Sequence, residues 1–105
     1  MNHAYRVVLT TTNSKENVSA IVDSVLAKKL AACIQVLPIE SHYLWQGRVN
    51  NDREFLLLLK AKAVDYTDLE AAIRSVHAYE VPEVVSLNVE NGSSKYLDWI
   101  NAVTR

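Results

Sequence analysis

Cysteine is nearly absent from this sequence, in which Cys33 is the only one among 105 residues. One thiol cannot form an intrachain disulfide, so a reducing compartment is the simplest setting. Long apolar runs are missing too, and the run Phe55 to Leu59 is far too short to span a bilayer. The first residues, MNHAYRVVLTTT, show no basic stretch followed by an apolar run and a cleavage site. We therefore expect a cytoplasmic protein with no membrane partner.

An excess of one charge is also missing, since 11 Lys and Arg stand against 12 Asp and Glu and leave a net charge of −1. The basic residues are scattered along the chain, which argues against a nucleic-acid partner. Catalytic signatures are absent as well: there is no glycine-rich phosphate loop, no nucleophile elbow and no HExxH helix. The sequence gives no positive reason to expect an enzyme.

What the sequence does contain is an alternation of strand and helix patterns. β-branched and apolar residues predict four strands, at residues 5–12, 32–45, 54–62 and 82–90. Glycine at the second position of Gln46-Gly47 predicts a tight hairpin turn, and Asn50 to Asp52 predicts a kink after it.

Apolar residues at helical spacing predict three helices between and after these strands. The first helix starts at a capping box formed by Asn13 and Glu16, and the second is capped by Asp65. A short terminal helix runs from Tyr96 to Val103.

The predicted order is strand, helix, strand, strand, helix, strand and an added helix. This is the ferredoxin-like α+β pattern, here in a single domain over residues 1–105. Two helices cover only one face of such a sheet, yet Phe55 to Leu59 does not alternate as a strand with one wet face should. We expect neighbouring subunits to cover the other face, with the long central β-hairpin around Gly47 as an arm between them.

The stretch His77-Ala78-Tyr79-Glu80 lies between the second helix and the last strand. Pro82 disfavours helical dihedrals at Val81, so the helix must end before that residue. His77 then falls in the last helical turn, where the macrodipole favours an imidazolium. From spacing alone, the stretch is either a ligand-facing corner or a polar helix end with solvated carboxylates.

Five separated motifs in the right order make the chain similar to the CutA divalent-cation-tolerance family. They are AAC at 31–33, WQGR at 45–48, LLLLK at 56–60, HAYEVPE at 77–83 and YLDW at 96–99. The resemblance runs over nearly the whole length. It implies a ferredoxin-like homotrimer that resembles PII-type signalling proteins and is linked to tolerance of divalent cations, copper in particular. The chain departs from the family at Ala78, where proline is usual, which leaves the turn less rigid.

The resemblance also implies functional residues. A site for copper or another divalent cation would use the imidazole, carboxylate and thiolate of His77, Glu80 and Cys33. A ligand cleft near a subunit boundary would be lined by Lys60, Tyr79, Glu83 and Arg74. Aromatic residues near the hairpin tip are expected to anchor the trimer interface, namely Trp45 and Tyr43.

Several alternatives stay open from the residues themselves. Cys33 stands in the apolar stretch AACIQV, so it is either a soft ligand or a core residue. Lys60 and Arg74 favour a PII-like sensor that binds a small anionic ligand between subunits. A third possibility is a structural trimer that docks partner proteins. The terminal Met1-Asn2-His3 is a further, adventitious chelator of Cu(II).

Overall fold

The computed structural model describes residues 3–105, which form one four-stranded antiparallel sheet and three α-helices. In chain order the elements are β1 (Tyr5–Thr12), α1 (Lys15–Ala27), β2 (Cys33–Trp45), β3 (Arg48–Lys62), a 3-10 turn (Ala63–Asp65), α2 (Tyr66–Val76), β4 (Val84–Asn88) and α3 (Ser94–Val103). This is the order that the sequence predicts. Met1 and Asn2 of the proposed terminal chelate lie outside the described residues.

The strands are arranged in the order β2-β3-β1-β4. In the centre, Val8 of β1 lies opposite Leu59 of β3 on one side and opposite Ser86 of β4 on the other. β2 pairs only with β3, so it is an edge strand. An edge strand tolerates Pro38, which has no N–H to donate to a ladder.

The hydrophobic core lies between one face of the sheet and the helices α1 and α2. Alternate strand residues such as Leu57 and Leu59 are fully buried against Ile21 of α1 and Ile73 of α2. Val8, Val25, Ala61 and Leu69 complete the centre of this cluster. The buried residues recur at helical spacing on the helices and at a spacing of two on the strands, so both periodicities meet in one layer.

The opposite face of the sheet is left partly open. Leu56 and Leu58 are only half-buried there, and on β4 Leu87 is 53% exposed. One chain therefore covers one face of the run Phe55 to Leu59 and leaves apolar surface on the other.

β2 and β3 continue beyond the sheet as a two-stranded ribbon, residues 39–45 paired with residues 48–54. β1 lies only beside residues 55–62 of β3, so the ribbon has no third strand. The predicted kink at Asn50 to Asp52 is wrong: β3 is continuous, because these residues keep their ladder partners on β2. The side-chain amide of Asn51 also contacts His42 across the ribbon.

Two predicted helix caps differ in detail from the structure. α1 is capped by Ser14, whose hydroxyl accepts from the N–H of Asn17 at 2.9 Å, and not by Asn13. Asp65 occupies the N-cap position of α2, but its side chain makes no capping hydrogen bond. Its carboxylate instead accepts a hydrogen bond from Arg105 Nε at 3.2 Å.

This contact ties the end of α3 to the rest of the chain. Arg105 also forms an ion pair with Asp68, and its N–H donates to the carbonyl of Lys29 at 3.1 Å. None of the helices in residues 3–105 is both long and apolar enough to cross a membrane.

Candidate functional site

The corner after α2 places the first candidate residues. α2 ends at Val76, and His77 is its C-cap residue with extended dihedrals (φ −72°, ψ 138°). The helix therefore ends before Val81, as Pro82 requires, and it does so several residues earlier. His77 lies just past the last helical turn and not within it.

Both ring nitrogens of His77 have hydrogen-bond partners. Nε2 lies 2.9 Å from the carbonyl oxygen of Thr11. A carbonyl only accepts, so Nε2 carries the proton. The N–H of Tyr79 donates to Nδ1 at 3.0 Å. In this conformation the ring presents no free lone pair to a metal ion.

The charge state of His77 also differs from the sequence-based expectation. Burial lowers the pKa of the imidazole, and this outweighs the opposite effects of the Thr11 carbonyl and Glu54. The neutral ring is therefore favoured in the folded chain. The helix dipole favours an imidazolium, and the desolvation of the ring acts in the opposite direction.

Asn17 of α1 holds the corner in place, and sequence reasoning missed it. Its amide nitrogen donates to the carbonyl of Val76 at 2.8 Å. Its amide oxygen accepts from the hydroxyl of Thr12 at 2.7 Å and from the N–H of Ala78 at 3.2 Å. Proline at position 78 has no N–H for the last of these bonds. A side chain from α1 thus supplies rigidity to a turn that lacks the usual proline.

A buried carboxylate lies next to this corner. The hydroxyl of Tyr79 donates to Glu54 Oε2 at 2.6 Å, and Glu54 is only 9% exposed. Burial first, and then Glu54, raise the pKa of the Tyr79 phenol, so the phenol stays protonated and donating. Sequence reasoning missed Glu54. The available signal was a carboxylate immediately before the apolar run that fills the centre of the sheet.

The corner and the ribbon enclose an open cavity of about 600 Å³. Its walls contain four carboxylates, three large aromatic side chains, one histidine and four smaller residues. These are Asp52, Glu54, Glu80 and Glu83; Tyr43, Trp45 and Tyr79; His42; and Thr11, Asn13, Ser41 and Val81. The wall includes no lysine and no arginine. The ionised carboxylates give this wall a negative potential.

Only part of the predicted site assembles within one chain. Tyr79, Glu80, Glu83, Tyr43 and Trp45 line the cavity. His77 does not line the cavity. It lies next to Tyr79, and the centroids of the two rings are 5.0 Å apart.

Cys33 and Lys60 face each other in the β2–β3 ladder at the other end of the sheet. Lys60 lies opposite Val7, four strand residues or roughly 13 Å from Thr11, which carries the His77 contact. Its ammonium donates to Gln35 Oε1 at 2.9 Å and lies 5.8 Å from the ring centroid of Tyr96.

Arg74 lies on the exposed side of α2, where it pairs with Glu70 at 3.8 Å. Across residues 3–105, no three His, Cys, Asp or Glu side chains are grouped closely enough to hold one metal ion.

Comparison with known proteins agrees with this architecture. The family model described as CutA1 divalent ion tolerance protein matches residues 6–103. The divalent-cation tolerance protein CutA of Thermus thermophilus is 38% identical over 99 residues, which are 93% of this chain and 96% of that one. A chloroplastic CutA 1 of rice is 39% identical over 94% of this chain.

The chain spans about half the length of several curated relatives that it matches, including 56% of the rice protein and 55% of the chloroplastic CutA of Arabidopsis thaliana. The solved Thermus thermophilus structure superposes with a TM-score of 0.92 at 37% identity and covers 96% of this chain and 99% of that one. A structure described as a periplasmic CutA from Archaeoglobus fulgidus gives 0.93 at 28% identity and covers 96% and 99%. The predicted ferredoxin-like fold with its long hairpin and added helix is confirmed.

Proposed function

We propose, because this chain belongs to the CutA1 divalent ion tolerance family, that it is a homotrimer that binds a divalent metal cation and contributes to tolerance of that ion. Copper is the first candidate. The family is described by tolerance of divalent ions, and binding of such an ion is the activity that we propose for this chain.

The composition of the cavity wall carries this proposal. Four carboxylates and no basic side chain other than His42 line it. Such a surface attracts cations and repels anions. Lys60 and Arg74 favour the rival sensor of a small anion between subunits, and neither residue lines this cavity. The geometry therefore favours the cation.

The metal site that we propose lies at the rim of the cavity, where Glu80 and Glu83 are exposed. Copper and zinc also prefer imidazole or thiolate. Within one chain both ring nitrogens of His77 form hydrogen bonds, with Thr11 and Tyr79. The ring would therefore bind a metal only if the hydrogen bond from the N–H of Tyr79 to Nδ1 broke. Cys33 would have to come from a neighbouring subunit. A site shared between subunits links metal binding to assembly.

The compartment belongs to the proposal as well. Relatives are described as chloroplastic or periplasmic, so the family is not confined to the cytoplasm. The single thiol remains our reason to propose a reducing compartment, the cytoplasm.

The test is calorimetry of a chain that begins after His3, titrated in parallel with Cu(II), Zn(II), ATP and citrate. We expect Cu(II) to bind, Glu80→Gln to weaken it about tenfold or more, and the matched Glu16→Gln on α1 to leave it unchanged. His77→Ala shows whether the ring becomes a ligand. Binding of ATP or citrate without binding of either metal would establish the rival sensor instead.

A further inference from the structure

One side chain of α1 holds the peptide groups on both sides of His77. The side-chain nitrogen of Asn17 donates to the carbonyl of Val76 at 2.8 Å, and its side-chain oxygen accepts from the N–H of Ala78 at 3.2 Å. A carbonyl only accepts and a backbone N–H only donates, so these partners fix the orientation of the Asn17 amide. We call this pair of hydrogen bonds the Asn17 clamp.

The clamp is buried and tied to the sheet. Asn17 is 8% exposed, and its side-chain oxygen also accepts from the hydroxyl of the fully buried Thr12 at 2.7 Å. A buried polar group that loses its partners costs free energy, so this side chain has one favoured position. The clamp therefore fixes the corner after α2 relative to both β1 and α1.

The same geometry decides whether the His77 ring has a free lone pair. Nε2 carries the proton and donates to Thr11, so the lone pair of the neutral ring is on Nδ1. That lone pair accepts from the N–H of Tyr79, which follows directly after the clamped N–H of Ala78. The position of the Tyr79 N–H thus depends on the clamp.

We propose that Asn17 is a positioning residue that keeps Nδ1 of His77 bonded to the N–H of Tyr79. The imidazole is thereby withheld from a metal ion at the rim of the cavity, and it becomes a ligand when the clamp opens. A rim site has only oxygen donors while the clamp is closed, and it gains the imidazole nitrogen that copper and zinc prefer when the clamp is open. The clamp lies inside the chain, and only its effect on a metal rests on the proposed function.

NMR of the metal-free chain tests the positioning role without any ligand. Protonated and unprotonated ring nitrogens have different 15N shifts, so a long-range 1H–15N spectrum reports the tautomer of His77. At about pH 8 the ring is neutral, and we expect the wild type to show only the Nε2–H form. Asn17→Ala should show both tautomers, and its Tyr79 amide should exchange with solvent about tenfold faster or more.

Two further variants separate the clamp from stability. Val25→Ala opens a cavity in the core on the same helix, about 12 Å from Asn17, and should leave the His77 tautomer unchanged. If Asn17→Ala fails to fold, Asn17→Asp replaces it. Asp keeps the acceptor for Ala78, loses the donor to Val76 and is favourable in the first turn of a helix, so it should shift the tautomer in the same direction.

Calorimetry with Cu(II) tests the effect on the metal. All variants keep the full chain, so the terminal chelate contributes equally to each. We expect Asn17→Ala to bind Cu(II) about tenfold more tightly than the wild type. His77→Ala should remove that gain, and it should cost far more Cu(II) affinity in the Asn17→Ala background than in the wild type, because the two residues are coupled.

Three results would overturn the proposal. They are a mixture of tautomers in the wild type, a tautomer that changes as much in Val25→Ala as in Asn17→Ala, and equal costs of His77→Ala in both backgrounds. If no variant binds Cu(II) but the tautomer responds to Asn17, the proposed metal function fails and the positioning role stands. If Cu(II) binds and the tautomer does not respond, the metal proposal stands and this inference fails.

Discussion

At the scale of single residues, the ability of the candidate site to bind a ligand depends on which lone pairs and protons already take part in hydrogen bonds within the chain. Glu80, Glu83 and Tyr79 were identified from sequence because they share one short motif, and all three line the cavity. Glu54 and Asn17 were not, because each acts on residues far away in sequence and no local pattern marks such a contact. The separation of Cys33 and Lys60 from His77 was likewise invisible, because it depends on strand register.

His77 leads to a prediction about acid stability. The pKa of its ring is lowered in the folded chain, so the unfolded chain takes up a proton near pH 6.5 and the folded chain only at lower pH. The stability from the neutral ring is complete above that pH and is lost as the pH falls from about 6.5 through the lower folded value. Protonation would also turn Nδ1 into a donor facing the N–H of Tyr79.

Chemical denaturation between pH 7.5 and 5 measures this effect. We expect the free energy of unfolding of the wild type to fall with a slope that includes up to one proton from His77. His77→Gln retains a group that can donate to Thr11 and cannot titrate, so its profile should be flatter. Parallel profiles for the two proteins would show that His77 is not the group that titrates.

At the scale of elements, sequence reasoning found the order of the strands and helices and misplaced some of their details. Periodicity marks the buried faces, and those faces became the core. The predicted kink at Asn50 to Asp52 is absent. Polar, turn-forming residues are tolerated in this ribbon because the β2–β3 ladder provides hydrogen-bond partners for their backbone groups. The predicted N-cap at Asn13 was wrong by one residue, because the hydroxyl of Ser14 can also accept a hydrogen bond from an N–H of the first helical turn.

The hairpin turn provides a prediction at this scale. Gln46 and Gly47 both have positive φ, 52° and 74°, as a two-residue type I′ turn requires. A Cβ at position 47 would meet nothing within 4 Å, so Gly47→Ala should cost only the backbone penalty, about 1 kcal/mol. Gln46→Asn should stabilise the turn by a few tenths of a kcal/mol, because Asn accepts positive φ more readily.

Equilibrium denaturation of both variants measures these opposite shifts. A loss above about 3 kcal/mol for Gly47→Ala would contradict a penalty confined to the backbone. It would indicate that another subunit packs against the tip of the ribbon.

At the scale of the whole molecule, the chain leaves surfaces that one copy does not cover. Three features are typical of a surface that another chain covers. They are the open sheet face, the ribbon without a third strand and the half-exposed Trp45. The sequence indicated this through the apolar run Phe55 to Leu59, which is covered on one side only. The way in which a neighbouring subunit would cover these surfaces depends on contacts between chains that no single-chain pattern encodes.

The assembly prediction joins mass and stability. Sedimentation equilibrium at micromolar concentration should report about three times the mass of one chain. Trp45 is 52% exposed in the isolated chain, so removing its side chain would cost few packing contacts there. If a neighbouring subunit buries it, Trp45→Ala should cost about 3 kcal/mol or shift the mass toward the monomer. A stable wild-type monomer, or a variant with unchanged mass and melting, would contradict the trimer interface at this residue.

The ribbon has a further consequence for hydrogen–deuterium exchange. Along residues 48–54 of β3, every second amide points toward β2, and the amides between them point to the side where β1 no longer runs. Those outward amides exchange with deuterium from the open chain and slow down only when another strand or subunit covers them. Protected and unprotected positions in this segment therefore alternate in one chain, and they would become uniform if a strand of another subunit paired with this edge. The exchange pattern of these seven residues would thus report quaternary structure amide by amide.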